Sequence, residues 1–186
     1  MNLLRNLPNL LTGLRLLLAL PVAWVILEER YDQALLLAAV AGISDALDGF
    51  LARRLQAESR LGALLDPIAD KLLILAVFVS AAVVGLLPWW LTGLVILRDL
   101  VIVGGALAYR LLIGPLQITP TLLSKANMAL QIGFLVLLLA GALSGGLPVA
   151  LLQLLMALVA GMALGSGLQY VLLWSRKARL AGRRGA

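Results

Sequence analysis

The chain has 186 residues, of which 62% are hydrophobic and 13% charged, with a formal net charge of +6. A soluble domain of this length does not need so much apolar surface, so the composition predicts one integral membrane domain and excludes an ordinary soluble protein. Cysteine and histidine are both absent, which excludes disulfides, thiolate or imidazole metal ligands, a cysteine nucleophile and a histidine base.

Six apolar stretches are each long enough to cross a bilayer, which takes about 20 helical residues. In chain order they are Leu7–Leu27, Gln33–Leu51, Leu61–Leu86, Pro88–Tyr109, Leu122–Leu143 and Leu147–Trp174. The charged start, Met1–Arg5, is similar to that of a signal peptide, but the first stretch is long enough to span and lacks a small-residue cleavage site. We therefore predict an all-α polytopic membrane protein, with a single six-helix transmembrane domain at 1–174 and a basic cytoplasmic tail at 175–186.

Positive charge lies on one side of the predicted spans. Of fifteen Lys and Arg residues, only Arg30 lies in the short connections after the first, third and fifth stretches. Loops rich in Lys and Arg remain in the cytoplasm, so both termini and the even-numbered connections are predicted to be cytoplasmic. The net charge is thus a topology signal, and no nucleic-acid partner is expected. The tail R-K-A-R-L-A-G-R-R would lie next to the headgroups of anionic membrane lipids.

Four acidic residues lie within 26 positions of this apolar chain: Asp45, Asp48, Asp66 and Asp70. The first two are three residues apart and the last two four apart, so each pair projects from one face of a helix. Burying four carboxylates is costly unless divalent cations neutralise them, and oxygen-rich sites of this kind hold Mg²⁺ or Mn²⁺ beside substrate phosphates. The pattern predicts metal-dependent chemistry on a phosphoanhydride at a site that opens toward the cytosol.

Two structural interpretations of the aspartates compete with the metal site. They would form a proton relay in a transporter, or salt bridges to Arg15, Arg98 and Lys125. Neither interpretation requires the paired spacing or the glycines around it, so we favour the metal site.

The motif reads D-x-x-D-G-x-x-A-R, eight residues, then G-x-x-x-D-x-x-x-D, and resembles the signature of the CDP-alcohol phosphotransferase family at every specified position. These positions are Asp45, Asp48, Gly49, Ala52, Arg53, Gly62, Asp66 and Asp70. The opening N-L-P-N-L-L-T-G-L-R looks like the first helix of the family, and L-L-S-K-A-N-M-A-L-Q resembles the fifth-helix motif of its anionic-phospholipid synthases. The resemblance implies the CDP-alcohol phosphotransferase fold, with 1–174 as the catalytic domain.

The resemblance also implies a reaction and a set of site residues. An acceptor hydroxyl would attack the lipid-linked phosphorus of CDP-diacylglycerol and displace CMP. Two divalent cations, Mg²⁺ or Mn²⁺, would be held by the four aspartates, with Asp70 also the general base. The implied CDP contacts are Asn9, Thr12, Asp45, Gly49, Arg53 and Ser59, although Asn9 is equally consistent with a simple helix-start residue. A homodimer is implied as well, in the inner (cytoplasmic) membrane if the source is bacterial.

The acceptor is predicted from residues of the fourth and fifth helices. Phosphatidylglycerophosphate synthases of the family carry two further cations, and this chain has Ala106 and Asn127 at those positions. Arg98 and Lys125 remain, and with Asn127 they form the predicted acceptor site. Fewer cations suit phosphatidylglycerol, a monoanion, and the R-D and S-K-x-N patterns resemble those of CMP-forming cardiolipin synthases. Glycerol-3-phosphate, giving phosphatidylglycerophosphate, is the second candidate acceptor.

The residues also leave room for functions that use neither of these acceptors. An enzyme of the same fold that acts on inositol phosphate, serine or choline is not excluded by the sequence. A non-catalytic lipid-binding or transport protein is disfavoured by the intact set of four aspartates. Asp99, next to Arg98, is as consistent with a local structural pair as with a functional role.

Overall fold

The structure, a computed structural model, describes Gly13, residues 17–55 and 60–112, Gly114 and residues 121–182. Side chains are described for 17–44, 71–111 and 121–177. Within these ranges every regular element is an α-helix, which confirms the all-α prediction. The helices are α1 (Leu17–Leu27), α2 (Tyr31–Leu55), α3 (Arg60–Val83), α4 (Trp89–Leu112), α5 (Leu122–Leu143) and α6 (Val149–Gly182).

The six described helices follow the six predicted stretches. Three of them, α4, α5 and α6, have the length and composition to cross a membrane within the described part of the chain. The largest difference from prediction is at the end of α6, which continues through the basic segment to Gly182 rather than ending at Trp174. Arg, Lys, Ala and Leu are all good helix formers, so the loss of hydropathy after Trp174 does not end the helix.

A glycine in the left-handed conformation ends α3. Gly85 has a φ of 78°, and the next amide, of Leu86, donates a hydrogen bond to the carbonyl of Ala81 at 2.9 Å. Glycine adopts this conformation without steric cost and so closes the last turn of a helix. Pro88 then precedes the first residue of α4, where its missing amide hydrogen is not needed.

The start of α5 is capped and attached to α6. The amide of Ser124 donates to the hydroxyl oxygen of Thr121 at 3.1 Å, and the amide of Lys125 donates to the Thr121 carbonyl at 3.1 Å. The Thr121 side chain therefore satisfies the Ser124 amide, which the first turn of the helix would otherwise leave unpaired, and the Thr121 carbonyl accepts the first hydrogen bond within the helix. The amide of Thr121 in turn donates to the hydroxyl of Tyr170 at 3.4 Å, which ties the cap to α6.

The chain divides into two compact units. The first unit comprises residues 1–87 and 135–147, and its core contains the fully buried side chains of Val22, Ile26 and Phe78. This unit carries α1, α2 and α3, and hence the four motif aspartates. The prediction of a single domain over 1–174 stays a prediction.

The second unit comprises residues 88–134 and 148–186, where α4 packs directly on α6. Gly105 of α4 permits this approach, because a Cβ atom there would overlap the indole ring of Trp174. The ring of Tyr170 lies 5.4 Å from that of Trp174, measured between centroids, at an interplanar angle of 51°. The core of this unit includes Leu91 and Val159.

Candidate functional site

The four motif aspartates lie on two consecutive helices. Asp45 and Asp48 are in the last three turns of α2, and Asp66 and Asp70 are in the first three turns of α3. At 100° per residue, helical spacings of three and four place the members of each pair on one face. The helical backbone required by the spacing argument is therefore present. The carboxylate groups themselves lie outside the described side chains, so the metal assignment stays a prediction.

The aspartates also lie at matching distances from the α2–α3 connection. Asp48 precedes the end of α2 at Leu55 by seven residues, and Asp66 follows the start of α3 at Arg60 by six. At 1.5 Å per residue these offsets are about 10 Å and about 9 Å along the two helices. Asp48 and Asp66 therefore lie at nearly the same distance from the α2–α3 connection, measured along their helices.

The predicted nucleotide contacts are only partly within the described chain. Gly49 and Arg53 lie in α2, four residues apart, so they share a helix face. Asn9, Thr12 and Ser59 lie outside the described residues. For the described side chains, no group of three or more acidic residues is placed to hold a metal ion, and the four motif carboxylates are not among those side chains.

Arg98 forms three side-chain hydrogen bonds within the second unit. It is 8% exposed, and its Nη1 donates to Oδ1 of Asp99 at 2.6 Å. Its Nη2 donates to the hydroxyl of Ser124 at 2.8 Å and to the hydroxyl of Ser166 at 2.6 Å. One guanidinium therefore links α4, α5 and α6, and the carboxylate next to it in sequence balances its charge.

The two serines were missed in the sequence, although both lie in segments with a recognisable pattern. Ser124 opens the S-K-x-N pattern, where the Lys and Asn attract attention first. Ser166 lies between two glycines, and a Cβ atom on the second, Gly167, would be 3.6 Å from Cγ of Arg98. Small residues permit close packing of membrane helices, and at 165–167 they also bring a hydroxyl to a buried cation.

The other two predicted acceptor residues differ sharply in environment. Lys125 is exposed, in the first turn of α5. Asn127 is 0% exposed, and neither Oδ1 nor Nδ2 of its amide has a hydrogen-bond partner among the described residues. One turn further along α5, Gln131 is 4% exposed, and its Nε2 likewise lacks a partner in the described ranges. A buried amide without a hydrogen-bond partner is destabilising, so these three atoms are polar groups that the packing of the described helices does not satisfy.

Comparisons with known proteins agree with the motif. A family model described as CDP-alcohol phosphatidyltransferase matches residues 5–172. A Drosophila melanogaster protein named probable cardiolipin synthase (CMP-forming) is 36% identical over 143 residues, covering 68% of this chain and 44% of that protein. The Homo sapiens cardiolipin synthase (CMP-forming) is also 36% identical over 143 residues, covering 68% of this chain and 48% of its own length.

A relative whose name states a different activity is also similar to this chain. The chloroplastic CDP-diacylglycerol–glycerol-3-phosphate 3-phosphatidyltransferase 1 of Oryza sativa subsp. japonica is 45% identical over 105 residues, covering 56% of this chain and 32% of that protein. The chain spans less than half the length of each of these three relatives.

Proposed function

The chain belongs to the CDP-alcohol phosphatidyltransferase family, and we propose that it transfers the phosphatidyl group of CDP-diacylglycerol to an acceptor hydroxyl and releases CMP in phospholipid biosynthesis. The match over residues 5–172, which includes all four motif aspartates, is the observation that carries the proposal. With three helices of spanning length and composition, the protein is an integral membrane protein.

The aspartates are the proposed ligands of two divalent cations. The donor set fits, because four carboxylates on consecutive helices supply only hard oxygen ligands, which Mg²⁺ and Mn²⁺ prefer. Asp45, Asp48, Asp66 and Asp70 would hold the pair. When bound, the cations would offset the charge of the diphosphate and of the departing CMP.

The transfer is a displacement at phosphorus. The acceptor oxygen forms a bond to the lipid-linked phosphorus, and the bond between that phosphorus and the bridging oxygen of CMP breaks. CMP leaves with the electron pair of that bond, and Asp70 takes the proton of the acceptor hydroxyl. A carboxylate at the edge of the site is suited to this role, in a chain that has no histidine.

The CDP group would be held on the cytoplasmic side. Gly49 allows the nucleotide to approach the backbone of α2, and Arg53, on the same helix face, offers a planar fork for phosphate oxygens. Asn9, Thr12 and Ser59 complete the proposed set.

Phosphatidylglycerol is the proposed acceptor, which makes cardiolipin the product. Arg98 is already paired with Asp99, so its charge is balanced within the fold. The other predicted acceptor cation, Lys125, forms no ion pair with a carboxylate in the described part of the chain. One such charge suits the monoanionic phosphodiester of phosphatidylglycerol better than the dianionic phosphate of glycerol-3-phosphate. Relatives named cardiolipin synthase support the same choice.

Glycerol-3-phosphate is the second candidate acceptor, because it is part of the name of the rice relative, which is 45% identical over the matched segment. A non-catalytic lipid-binding or transport protein is the remaining candidate from another class. It would bind CDP-diacylglycerol without releasing CMP.

The proposed orientation places both termini and the α2–α3 connection in the cytoplasm, following the one-sided distribution of Lys and Arg. Since the chain has no cysteine, an Ala57→Cys variant gives a single labelling site. We expect this cysteine to react only from the cytoplasmic side, and labelling only from outside would contradict the orientation. A homodimer is also proposed, and a strictly monomeric active species in detergent would count against it.

The activity is tested with purified protein, CDP-diacylglycerol, Mg²⁺ or Mn²⁺ and a panel of acceptors, measuring CMP release. We expect release that depends on both the divalent cation and an acceptor hydroxyl. Release that persists in EDTA would contradict the metal assignment, and binding without release would favour a non-catalytic lipid-binding protein.

A further inference from the structure

The second unit carries a large excess of positive charge. Its residues, 88–134 and 148–186, include eight Lys and Arg but one acidic residue, Asp99, which is paired with Arg98. Five of the remaining cations follow Trp174 in the sequence, namely Arg176, Lys177, Arg179, Arg183 and Arg184. This concentration of charge at one helix end raises the question of what it binds.

The helix α6 continues well past the length that a bilayer requires. Its 34 residues extend over about 50 Å at 1.5 Å per residue, whereas the hydrocarbon core of a membrane is about 30 Å thick. The indole of Trp174 packs on Gly105 of α4, and the helix then runs eight residues further to Gly182. Arg176 and Arg179 therefore have defined positions around the axis of the helix.

One face of α6 changes from apolar to basic along its length. At 100° per residue, Leu168, Leu172, Arg176 and Arg179 lie within about 80° of one another around the helix axis. Leu168 is 61% exposed, Leu172 is 52% exposed, and Arg176 is exposed as well. Trp174, which packs on α4, lies about 160° from Arg176, so these four positions form a face directed away from α4, the Leu168–Arg179 face.

The order of residues along the Leu168–Arg179 face matches the chemistry of a phospholipid. Exposed leucines suit acyl chains, and a guanidinium at the end of the span suits the phosphate at the boundary with water. A zwitterionic lipid also has a phosphate, but its cationic group repels arginine, so a headgroup of net negative charge is favoured. A soluble phosphate or a nucleic acid would use the cations and leave the leucines without a role.

We propose that the Leu168–Arg179 face binds one phospholipid of net negative charge, with the two leucines against its acyl chains and the two arginines supplying the charge for its phosphate. The helix register selects these two cations of the basic segment. It leaves out Lys177, which shares the face of Tyr170 and Trp174 toward α4. This site goes beyond the transfer reaction and does not depend on it.

The test compares two lipids that differ in headgroup charge. Phosphatidylmethanol is anionic and has no headgroup hydroxyl to serve as acceptor, and phosphatidylcholine with the same acyl chains is the zwitterionic reference. Equilibrium binding of each acyl-labelled lipid to purified protein is measured in neutral detergent. A cation near an anionic headgroup raises the affinity about fivefold, so with two cations we expect wild type to prefer phosphatidylmethanol by roughly 30-fold.

Arg176→Gln should lower this preference about fivefold, whereas Arg176→Lys, which keeps the charge, should retain most of it. Lys177→Gln and Arg110→Gln are the matched controls, because each removes one positive charge outside the Leu168–Arg179 face. Both controls should keep the wild-type preference. All of these positions are exposed, so each variant should unfold within a few degrees of wild type.

Equal losses in Arg176→Gln, Lys177→Gln and Arg110→Gln would show that the attraction follows total charge rather than one helix face, and would overturn the proposal. A wild-type preference in folded Arg176→Gln would also overturn it, because the anionic lipid would then bind elsewhere. Displacement of phosphatidylmethanol by inorganic phosphate at constant ionic strength would indicate a soluble ligand instead. CMP release is a separate measurement, so each of these outcomes leaves the proposed transfer reaction unchanged.

Discussion

Replacing Ser166 by alanine removes the shorter of the two serine hydrogen bonds to Arg98 with almost no change in volume. The lost bond is 2.6 Å long, buried and donated by a charged group. Such bonds contribute about 1.5–3 kcal/mol in soluble proteins, but polar contacts between membrane helices average about 0.6 kcal/mol. Ser124 still accepts a hydrogen bond from the same Nη2 at 2.8 Å. We therefore expect the free energy of unfolding to fall by an amount between these two figures, about 1–2 kcal/mol.

The assay is reversible unfolding in mixed micelles, with Ser80→Ala as the matched control. The Ser80 side chain is also buried, but its hydroxyl donates to the Ala76 carbonyl of its own helix at 2.8 Å, so its removal should cost less than about 0.5 kcal/mol. In a double-mutant cycle, Ser124→Ala combined with Ser166→Ala should cost more than the sum of the single changes, since Nη2 then loses both partners. Equal, small losses in Ser166→Ala and Ser80→Ala would refute the description of Arg98 as a link between three helices.

Three further predictions concern the proposed site and the packing of α4 on α6. Asp48→Asn should abolish CMP release and lower the number of bound Mn²⁺ ions while circular dichroism retains the helix content, and near-normal turnover would count against a metal ligand. Asp70→Asn should slow the chemical step by ~10²–10⁴-fold at comparable metal content, whereas a tenfold or smaller loss would leave Asp70 a ligand only. Gly105→Ala should lower the unfolding temperature because its Cβ overlaps the Trp174 ring, while the control Gly104→Ala, with nothing within 4 Å, should not; equal effects would contradict the packing.

The helices were predictable because a membrane span leaves a long apolar signal. The predicted stretch Leu122–Leu143 has the same bounds as α5. Hydropathy does not indicate which face of an apolar helix is buried, however, because lipid and protein interior are both apolar. Leu168 is 61% exposed and Ala163 fully buried on the same helix, a difference that does not follow from how apolar each residue is.

The candidate site was predictable to the extent that it is local in sequence. Spacing alone placed each aspartate pair on one helix face, and the N-cap geometry at Thr121 follows from its residue type. The two serine partners of Arg98 are 26 and 68 residues away, and only the packing of three helices brings them together. The burial of Gln131 likewise could not be predicted from the sequence, because glutamine also occurs on exposed helix faces.

The lipid product formed by purified protein from CDP-diacylglycerol, Mg²⁺ and isotope-labelled phosphatidylglycerol tests the central claim most directly. Mass spectrometry of the lipid, with CMP measured in the same reaction, identifies the acceptor and the stoichiometry together. We predict labelled cardiolipin in an amount equal to the CMP released, and little phosphatidylglycerophosphate when glycerol-3-phosphate is supplied instead. Robust synthesis of phosphatidylglycerophosphate with no labelled cardiolipin would contradict the proposed acceptor, and no CMP from either substrate would contradict the proposed activity.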